Sequence, residues 1–287
     1  MKLDPPTAWQ LECVGIAALP ANEMSALCHA PPFHALCAKG WPVAVEQKEE
    51  GHRSYYLPAV AGQVPPALML KELSFGEAGH GHKVWECGIA LAIWLALHPE
   101  LVRGRRILEL GSGLGICGLS ASIIARGQCA LTLTDLDGDN VDETIWLEGS
   151  APVIGGDLLG NLKANAAANQ VDAQTAALDW HKCLEPSFEP HGMYDLVVAS
   201  DCIYASADAA ALAATIRAHL APGGTALLMN RMGRAGSQEL LEELSVGSWC
   251  GLGDQTVQVE HMRITSQPQG GCNPKAVATG LELLRMS

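Results

Sequence analysis

Apolar and polar positions in this chain follow two periods, and from Lys83 onward segments of one alternate with segments of the other. Residues 83–97 read as a helix whose nearly all-round apolar character predicts burial against a sheet. Ile107, Leu108 and Leu110 then form a short buried strand that breaks at Gly111, Gly113 and Gly115 into a tight turn, followed by a helix over 116–126. Further strands are predicted at 130–134, 175–178, 194–199 and 225–229, with helices at 158–169, 207–220 and 238–244 between them. Residues 256–265 and 280–286 read as a terminal antiparallel pair joined by the polar loop 266–274. Strands alternating with helices predict an α/β fold, a doubly wound, mostly parallel seven-stranded sheet.

Residues 1–82 show no such regularity. Proline pairs start at Pro5, Pro31 and Pro65, and the polar stretch 46–54 separates short apolar pieces, so the segment reads as an N-terminal extension to a main domain over 83–287. Within it, 55–57 and 67–73 suit strands or short helical turns against the main body. Cys28, His29, His34 and Cys37 are metal-ligand types, but their spacing matches no zinc pattern, and His80 and His82 read as a solvated turn. Asp135, Asp137 and Asp139 resemble a calcium loop, yet Gly138 falls at the fourth position instead of the sixth and no Glu stands at the twelfth. No metal is expected.

Composition narrows the function. The 287 residues, 48% apolar, suffice for one large core, and a formal charge of -13 with 18 Lys and Arg disfavours nucleic acid and favours a cationic partner such as a lysine-bearing protein. Ten cysteines without a C-x-x-C pair point to free thiols in a reducing compartment, with cytoplasm the expectation and nucleus an alternative. Asp4, Pro5, Pro6 and Glu12 stand where a signal peptide needs an apolar run. The longest apolar run, 88–97, is half the ~20 residues a bilayer requires, so no membrane span is expected. The residues do not fix an oligomeric state; a monomer is the working expectation.

The glycine turn admits two registers. Starting at Gly113, the dinucleotide fingerprint G-x-G-x-x-G would leave Glu109 and Gly111 inside a strand that ought to be apolar. Starting at Gly111, Glu109 falls at the strand's end, pointing into the crevice, and the following helix aims free N–H groups at a ligand. A plain nucleotide-binding fold stays open on this stretch alone.

In the second register, Glu109-x-Gly111-x-Gly113-x-Gly115 resembles motif I of class I S-adenosylmethionine-dependent methyltransferases. Val84-Trp85-Glu86-x-Gly88, Asn161-Leu162-x-x-Asn165, Asp179-Trp180 and Asp201-x-x-Tyr204 resemble the corresponding motifs of methyltransferase family 16, which includes many protein-lysine methyltransferases. The resemblance covers residues 83–287. It implies S-adenosyl-L-methionine as cofactor, with Glu109, Gly111, Ser112 and Gly113 around its methionine part and Trp85 enclosing it. Asp135 would hold the ribose, Trp180 would lie against the adenine and Ser200 would border the site. Asp135 follows Gly111 by 135 − 111 = 24 residues, near the spacing at which an acid after the second strand meets ribose hydroxyls.

Asp201 and Tyr204 then become the candidate catalytic pair, Asp201 positioning the acceptor nitrogen and Tyr204 shaping the channel. Cys202, preceded by Asp201 and not by proline, reads as packing. The expected function is methylation of a protein lysine by direct in-line transfer. Protein histidine is the alternative, because residues 81–87 resemble the histidine-methylating branch, and a non-catalytic binding protein of the same fold is the other. Residues 139–156 interrupt the family pattern and suit a substrate lid or a plain surface insertion.

Overall fold

A computed structural model describes residues 8–13, 45–48, 51–56, 67–137, 157–231, 233–245, 259–267 and 280–286. The strands are β1 (Ala8–Cys13), β2 (Val45–Lys48), β3 (His52–Tyr56), β4 (Ala67–Lys71), β5 (Arg106–Leu110), β6 (Ala130–Asp135), β7 (Ala173–Ala177), β8 (Tyr194–Ser200), β9 (Leu220–Arg231), β10 (Val259–Gln267) and β11 (Gly280–Met286). The helices are α1 (Phe75–Ala78), α2 (Glu86–Leu97), α3 (Ile116–Ile124), α4 (Leu158–Ala168), α5 (Ala209–His219) and α6 (Ser237–Ser245). The metal-ligand types at 28–37, the insertion 139–156 and the loop 268–279 lie outside the described residues.

The main sheet runs β1-β10-β11-β9-β8-β5-β6-β7. β9, β8, β5, β6 and β7 are parallel, and β11 is antiparallel to both β9 and β10. The seven expected strands are therefore present, and β1 adds an eighth, antiparallel on β10. Alternation along the central strands sorts the core into two layers. Ile107, Leu196, Val198, Leu227 and Met229 face α2, α3 and α4, whereas Leu108, Val197, Ala199, Ala226 and Leu228 face α5 and α6. α2 is apolar all round because it has the sheet beneath it and α3 beside it.

Several boundaries differ from the sequence expectation for local reasons. The helix expected from Lys83 starts at Glu86, with Trp85 extended as its N-cap. The turn 220–224 belongs to β9: Leu220 pairs with Tyr194, then the register jumps so that Leu196 opposes Thr225, and Ala221–Gly224 bulge out. The helix expected from Ala207 begins as a 3-10 turn at Ser206–Asp208.

Residues 67–82, expected within the extension, are built into the main body. Leu68 and Leu70 are fully buried in the core layer that also holds α3 and α4. β2, β3 and β4 form a small antiparallel sheet, and the open edge of β4 is taken by asparagines spaced four apart on and just beyond α4. Asn169 accepts from the Met69 N–H at 2.8 Å and donates to the Met69 carbonyl at 2.6 Å. Asn165 accepts from the Lys71 N–H at 2.8 Å, and Asn161 donates to the Lys71 carbonyl at 3.0 Å. A side-chain amide carries the donor and acceptor of a peptide group, so this ladder replaces a neighbouring strand. Asn165 also donates to the Leu114 carbonyl at 3.2 Å, which ties the small sheet to the glycine turn.

Two stability outcomes follow. Asn165→Ala strips partners from the Lys71 N–H and the Leu114 carbonyl and should cost about 2 kcal/mol, read as a lower urea midpoint. His219 is fully buried, its Nδ1 against the Thr215 carbonyl at 2.8 Å and its Nε2 accepting from the His191 N–H at 3.3 Å. Burial pushes its pKa below the ordinary imidazole value, so the unfolded chain takes up the proton first. Its contribution is complete above the ordinary histidine pKa and is lost as pH falls through it towards the lowered one. Urea midpoints measured on either side of that value should therefore fall more for the wild type than for His219→Gln.

Candidate active site

The carboxyl ends of β5 and β8 lie side by side where the strand order reverses, the position at which doubly wound sheets open a crevice. The glycine turn leaves β5 there. Gly111 has φ of 58°, and a Cβ on it would stand 2.8 Å from Cys202 Sγ and 3.3 Å from the Trp180 ring. Glycine is therefore required on two counts, conformation and space. Trp180 opens a 3-10 turn capped by Asp179, whose carboxylate accepts from the His181 N–H at 3.0 Å. Gly111, Trp180 and Cys202 thus meet, drawn from three separate segments.

Glu109 does not point into the crevice. Its side chain turns under α3, where Oε2 accepts from the Gly118 N–H at 2.9 Å and Oε1 from the Cys117 N–H at 3.3 Å. The residue is fully buried, and loss of water pushes its pKa up to about 7 despite those two donors. The N–H groups expected to be free for a ligand at Cys117 and Gly118 are consequently occupied by Glu109. The carbonyl of Glu109 accepts from Thr134 Oγ1 at 2.7 Å and from Ser112 Oγ at 3.3 Å, while Ser112 Oγ accepts from the Thr134 N–H at 3.1 Å. Glu109 and Ser112 are internal braces of the turn, and the expected direct contact of Glu109 with a ligand is replaced by this role.

Asp135 ends β6 beside the same turn. Oδ2 accepts from the Gly113 N–H at 2.7 Å and Oδ1 from the Leu136 N–H at 2.8 Å, and burial raises its pKa. A carboxylate has about four acceptor positions, so each oxygen retains capacity for a ligand hydroxyl. An acceptor carboxylate at a strand end, a glycine floor and a flat indole wall form a shape and a chemistry that fit the hydroxyls of a ribose and a planar base.

β8 delivers Ser200 and Asp201. Ser200 Oγ is 3.5 Å from Cys117 Sγ. Asp201 sits in the left-handed region with φ of 53°, unusual for a residue with a side chain, and its N–H donates to the Met229 carbonyl at 2.8 Å. Its Oδ1 accepts from Arg234 Nη2 at 2.5 Å. Tyr204 is exposed, and loss of water at its hydroxyl pushes that pKa up to about 12, so it stays a neutral phenol. Cys202 is buried, its thiol directed at the Leu110 and Ser200 carbonyls at 3.2 Å, and burial raises its pKa. A thiol held that way is packing, not a nucleophile.

The other wall comes from the 3-10 turn Gly79–His82. Trp85 Nε1 donates to the His80 carbonyl at 2.8 Å, and the His80 imidazole stacks on Tyr204 with centroids 5.2 Å apart. Phe75 packs edge-on against both His80 and His82. Burial, then His82 and Arg234, push the His80 pKa down, which keeps the ring neutral. This turn is an aromatic rim joining Trp85 to Tyr204, not a solvated pair of histidines.

Arg234 and His80 are the residues the sequence reading missed. A signal for Arg234 existed: it follows β9, whose carboxyl end adjoins that of β8, and lies between Gly233 and Gly236. Among the described residues no group of three or more metal-ligating side chains is assembled, and no helix is long and apolar enough to cross a membrane.

Comparison with known proteins identifies the architecture. The chain is 28% identical over 180 residues to the human protein-lysine N-methyltransferase EEF2KMT, covering 61% of this chain and 51% of that one. It is 27% identical to the zebrafish (Danio rerio) protein N-lysine methyltransferase METTL21A over 51% of this chain and 58% of that one. With the Saccharomyces cerevisiae protein-lysine N-methyltransferase EFM6 it is 30% identical, over 50% and 59%. The chain spans about half the length of these relatives. A solved structure described as a putative SAM-dependent methyltransferase from Streptococcus mutans shares the fold, with a TM-score of 0.50 at 12% identity, covering 85% of this chain and 57% of that one. The family model described as lysine methyltransferase matches residues 65–246, and the chain belongs to that family, methyltransferase family 16.

Proposed function

We propose that this protein is an S-adenosylmethionine-dependent protein-lysine N-methyltransferase. The observation that carries the reading is the convergence of Asp201, Tyr204, Asp135 and the Gly111 turn at one sheet switch point, in a chain of the lysine methyltransferase family. The names of the relatives above agree with a protein lysine as acceptor. When bound, S-adenosylmethionine would supply an electrophilic methyl carbon, its sulfur keeping the electron pair of the C–S bond as the acceptor nitrogen takes the methyl group.

The chain's own residues have three tasks. Gly111 and Gly113 provide the floor, Asp135 offers its remaining acceptor positions to ribose hydroxyls, and Trp180 supports the base. Trp85 fixes the 79–82 turn that forms the far wall, and Ser200 borders the floor from β8. Asp201 orients the acceptor nitrogen through its open oxygen, and Tyr204 with His80 shapes the channel through which the side chain arrives. No nucleophilic residue is needed, because alignment of donor and acceptor within roughly 3 to 3.5 Å accomplishes most of an in-line displacement. The protein's formal charge of -13 would favour encounter with a basic protein surface.

Incubation with labelled S-adenosylmethionine and cell extract, followed by mass spectrometry of the labelled band, tests the acceptor. Label on lysine is the expected result; label on histidine would favour the alternative branch, and label on arginine or nucleic acid would refute the substrate class. Asp201→Asn should lower transfer by roughly a hundredfold or more while calorimetric binding of S-adenosylmethionine stays within about threefold. Full activity in that variant would remove Asp201 from the mechanism.

A further inference from the structure

The carboxylate of Asp201 stands in two different surroundings. Oδ1 is held by Arg234 Nη2, while Oδ2 is buried without a hydrogen-bond partner among the described residues. The Asp201 side chain is 3% exposed and the Arg234 side chain 29%. Arg234 Nε also lacks a partner among the described residues, so the contact is single-pronged, not the two-pronged fork that guanidinium and carboxylate can form. A buried acceptor left open is costly and marks a place for a ligand donor. The arginine is held there by its loop: Gly233 and Gly236 have φ of 70° and 88°, and a Cβ on Gly236 would lie 2.6 Å from the Ala205 carbonyl. That close approach seats the loop against the residue following Tyr204.

We propose that Arg234 is a positioning residue that acts through Asp201, so that the pair offers Oδ2 as a hydrogen-bond acceptor without net charge and receives the substrate lysine as its neutral amine. This rests on the protein-lysine reading above and specifies the form of the acceptor. An ammonium has no lone pair with which to take a methyl group. A lone carboxylate at ion-pair distance stabilises the ammonium and raises its pKa by about one to three units. Such an acid would bind the acceptor well in the wrong protonation state. A guanidinium stays protonated throughout the working pH range, so it cancels that effect while leaving one oxygen free to orient an N–H.

Among the described residues, the charged groups that act on Cys202 and Tyr204 beside the pair are acids, apart from Arg234 itself. Asp135 and Glu109 act electrostatically on Cys202, the residue after Asp201, from β6 and β5, and Asp208, hydrogen-bonded to His181 at 3.1 Å, acts on Tyr204 from the start of α5. Tyr204 and Cys202 keep their protons, their pKa values being raised by burial, and His80 stays neutral. Removing Arg234 would therefore leave the Asp201 carboxylate without the guanidinium that holds it.

The test follows the initial rate of label transfer onto lysine of the extract protein between about pH 6.5 and about pH 10, spanning the range over which a perturbed lysine titrates. Wild type, Arg234→Gln and Arg234→Lys are compared, each first checked for S-adenosylmethionine binding by calorimetry to show an intact fold. The midpoint of the rising limb should move up by about one pH unit in Arg234→Gln and return close to wild type in Arg234→Lys, which restores the charge. Slower transfer with an unmoved midpoint in both variants would reduce Arg234 to packing and overturn the proposal. Faster transfer by Arg234→Gln at neutral pH would also overturn it, since Arg234 would then be competing for the place of the substrate ammonium. Absence of label from lysine with the wild type refutes the protein-lysine reading itself. That result appears before any variant is compared, and the proposal falls with it.

Discussion

The carboxylate of Glu109 lies beneath the first turn of α3, accepting the N–H groups of Cys117 and Gly118 at 3.3 and 2.9 Å, and the glycine turn is bent around that contact. A helix start has backbone donors without partners, and a buried one needs an acceptor. Glu109 provides it from the preceding strand, so β5, turn and α3 close on themselves. The fit leaves no slack: a Cβ on Gly118 would lie 2.7 Å from Glu109 Oε2 and 2.4 Å from Leu133 Cδ2. Burial opposes ionisation and the two N–H donors favour it, and the outcome is a pKa of about 7, above the ordinary glutamate value.

The rest of the site is attached to this brace by short hydrogen bonds. Thr134 and Ser112 lock the turn to β6, Asp135 holds the Gly113 N–H, and Asn165 holds the Leu114 carbonyl from α4. Through Asn165 and its neighbours on α4, the same turn is linked to β4 and the small sheet. On the opposite side of the crevice the aromatic rim is held by the Trp85 indole on the His80 carbonyl and by the Leu73 N–H on the His82 carbonyl at 2.9 Å. Asp201 is fixed by the end of β9 through the Met229 carbonyl and by Arg234 from the following loop. Floor, walls and acceptor site therefore come from distant parts of the chain, all held at the carboxyl edge of one sheet.

Much of this was legible in the sequence because period and punctuation agree from Lys83 onward. The strands β5, β6 and β8 and the helices between them fall within a few residues of expectation, since the strands end at or beside Gly111, Asp135 and Asp201 and α4 ends at Asn169. Asp135, Trp180, Asp201 and Tyr204 all border the crevice because the doubly wound order sends those strand ends there. The direction of Glu109 was not legible. Its position at a strand end suits either the crevice or the underside of α3, and only packing against Leu133 and Gly118 decides between them. β1 was illegible for another reason: its partner β10 is about 250 residues away in sequence, and pairing over that separation leaves no local pattern. The ladder of asparagines at 161, 165 and 169 reads as a polar helix face until the backbone of β4 is laid against it. Arg234 carries no periodic signal, and only its place between Gly233 and Gly236 after β9 pointed to it.

The central claim is that Glu109 shapes the cofactor floor from below, without facing the ligand. Titration calorimetry of the wild type and Glu109→Gln with S-adenosylmethionine addresses it most directly. A glutamine matches the shape but turns an N–H donor towards one of the two backbone N–H groups, so the turn should lose its brace. The wild type should bind saturably, and the variant with an affinity lower by about tenfold or more. Equal affinities, or no binding by the wild type, would contradict that claim.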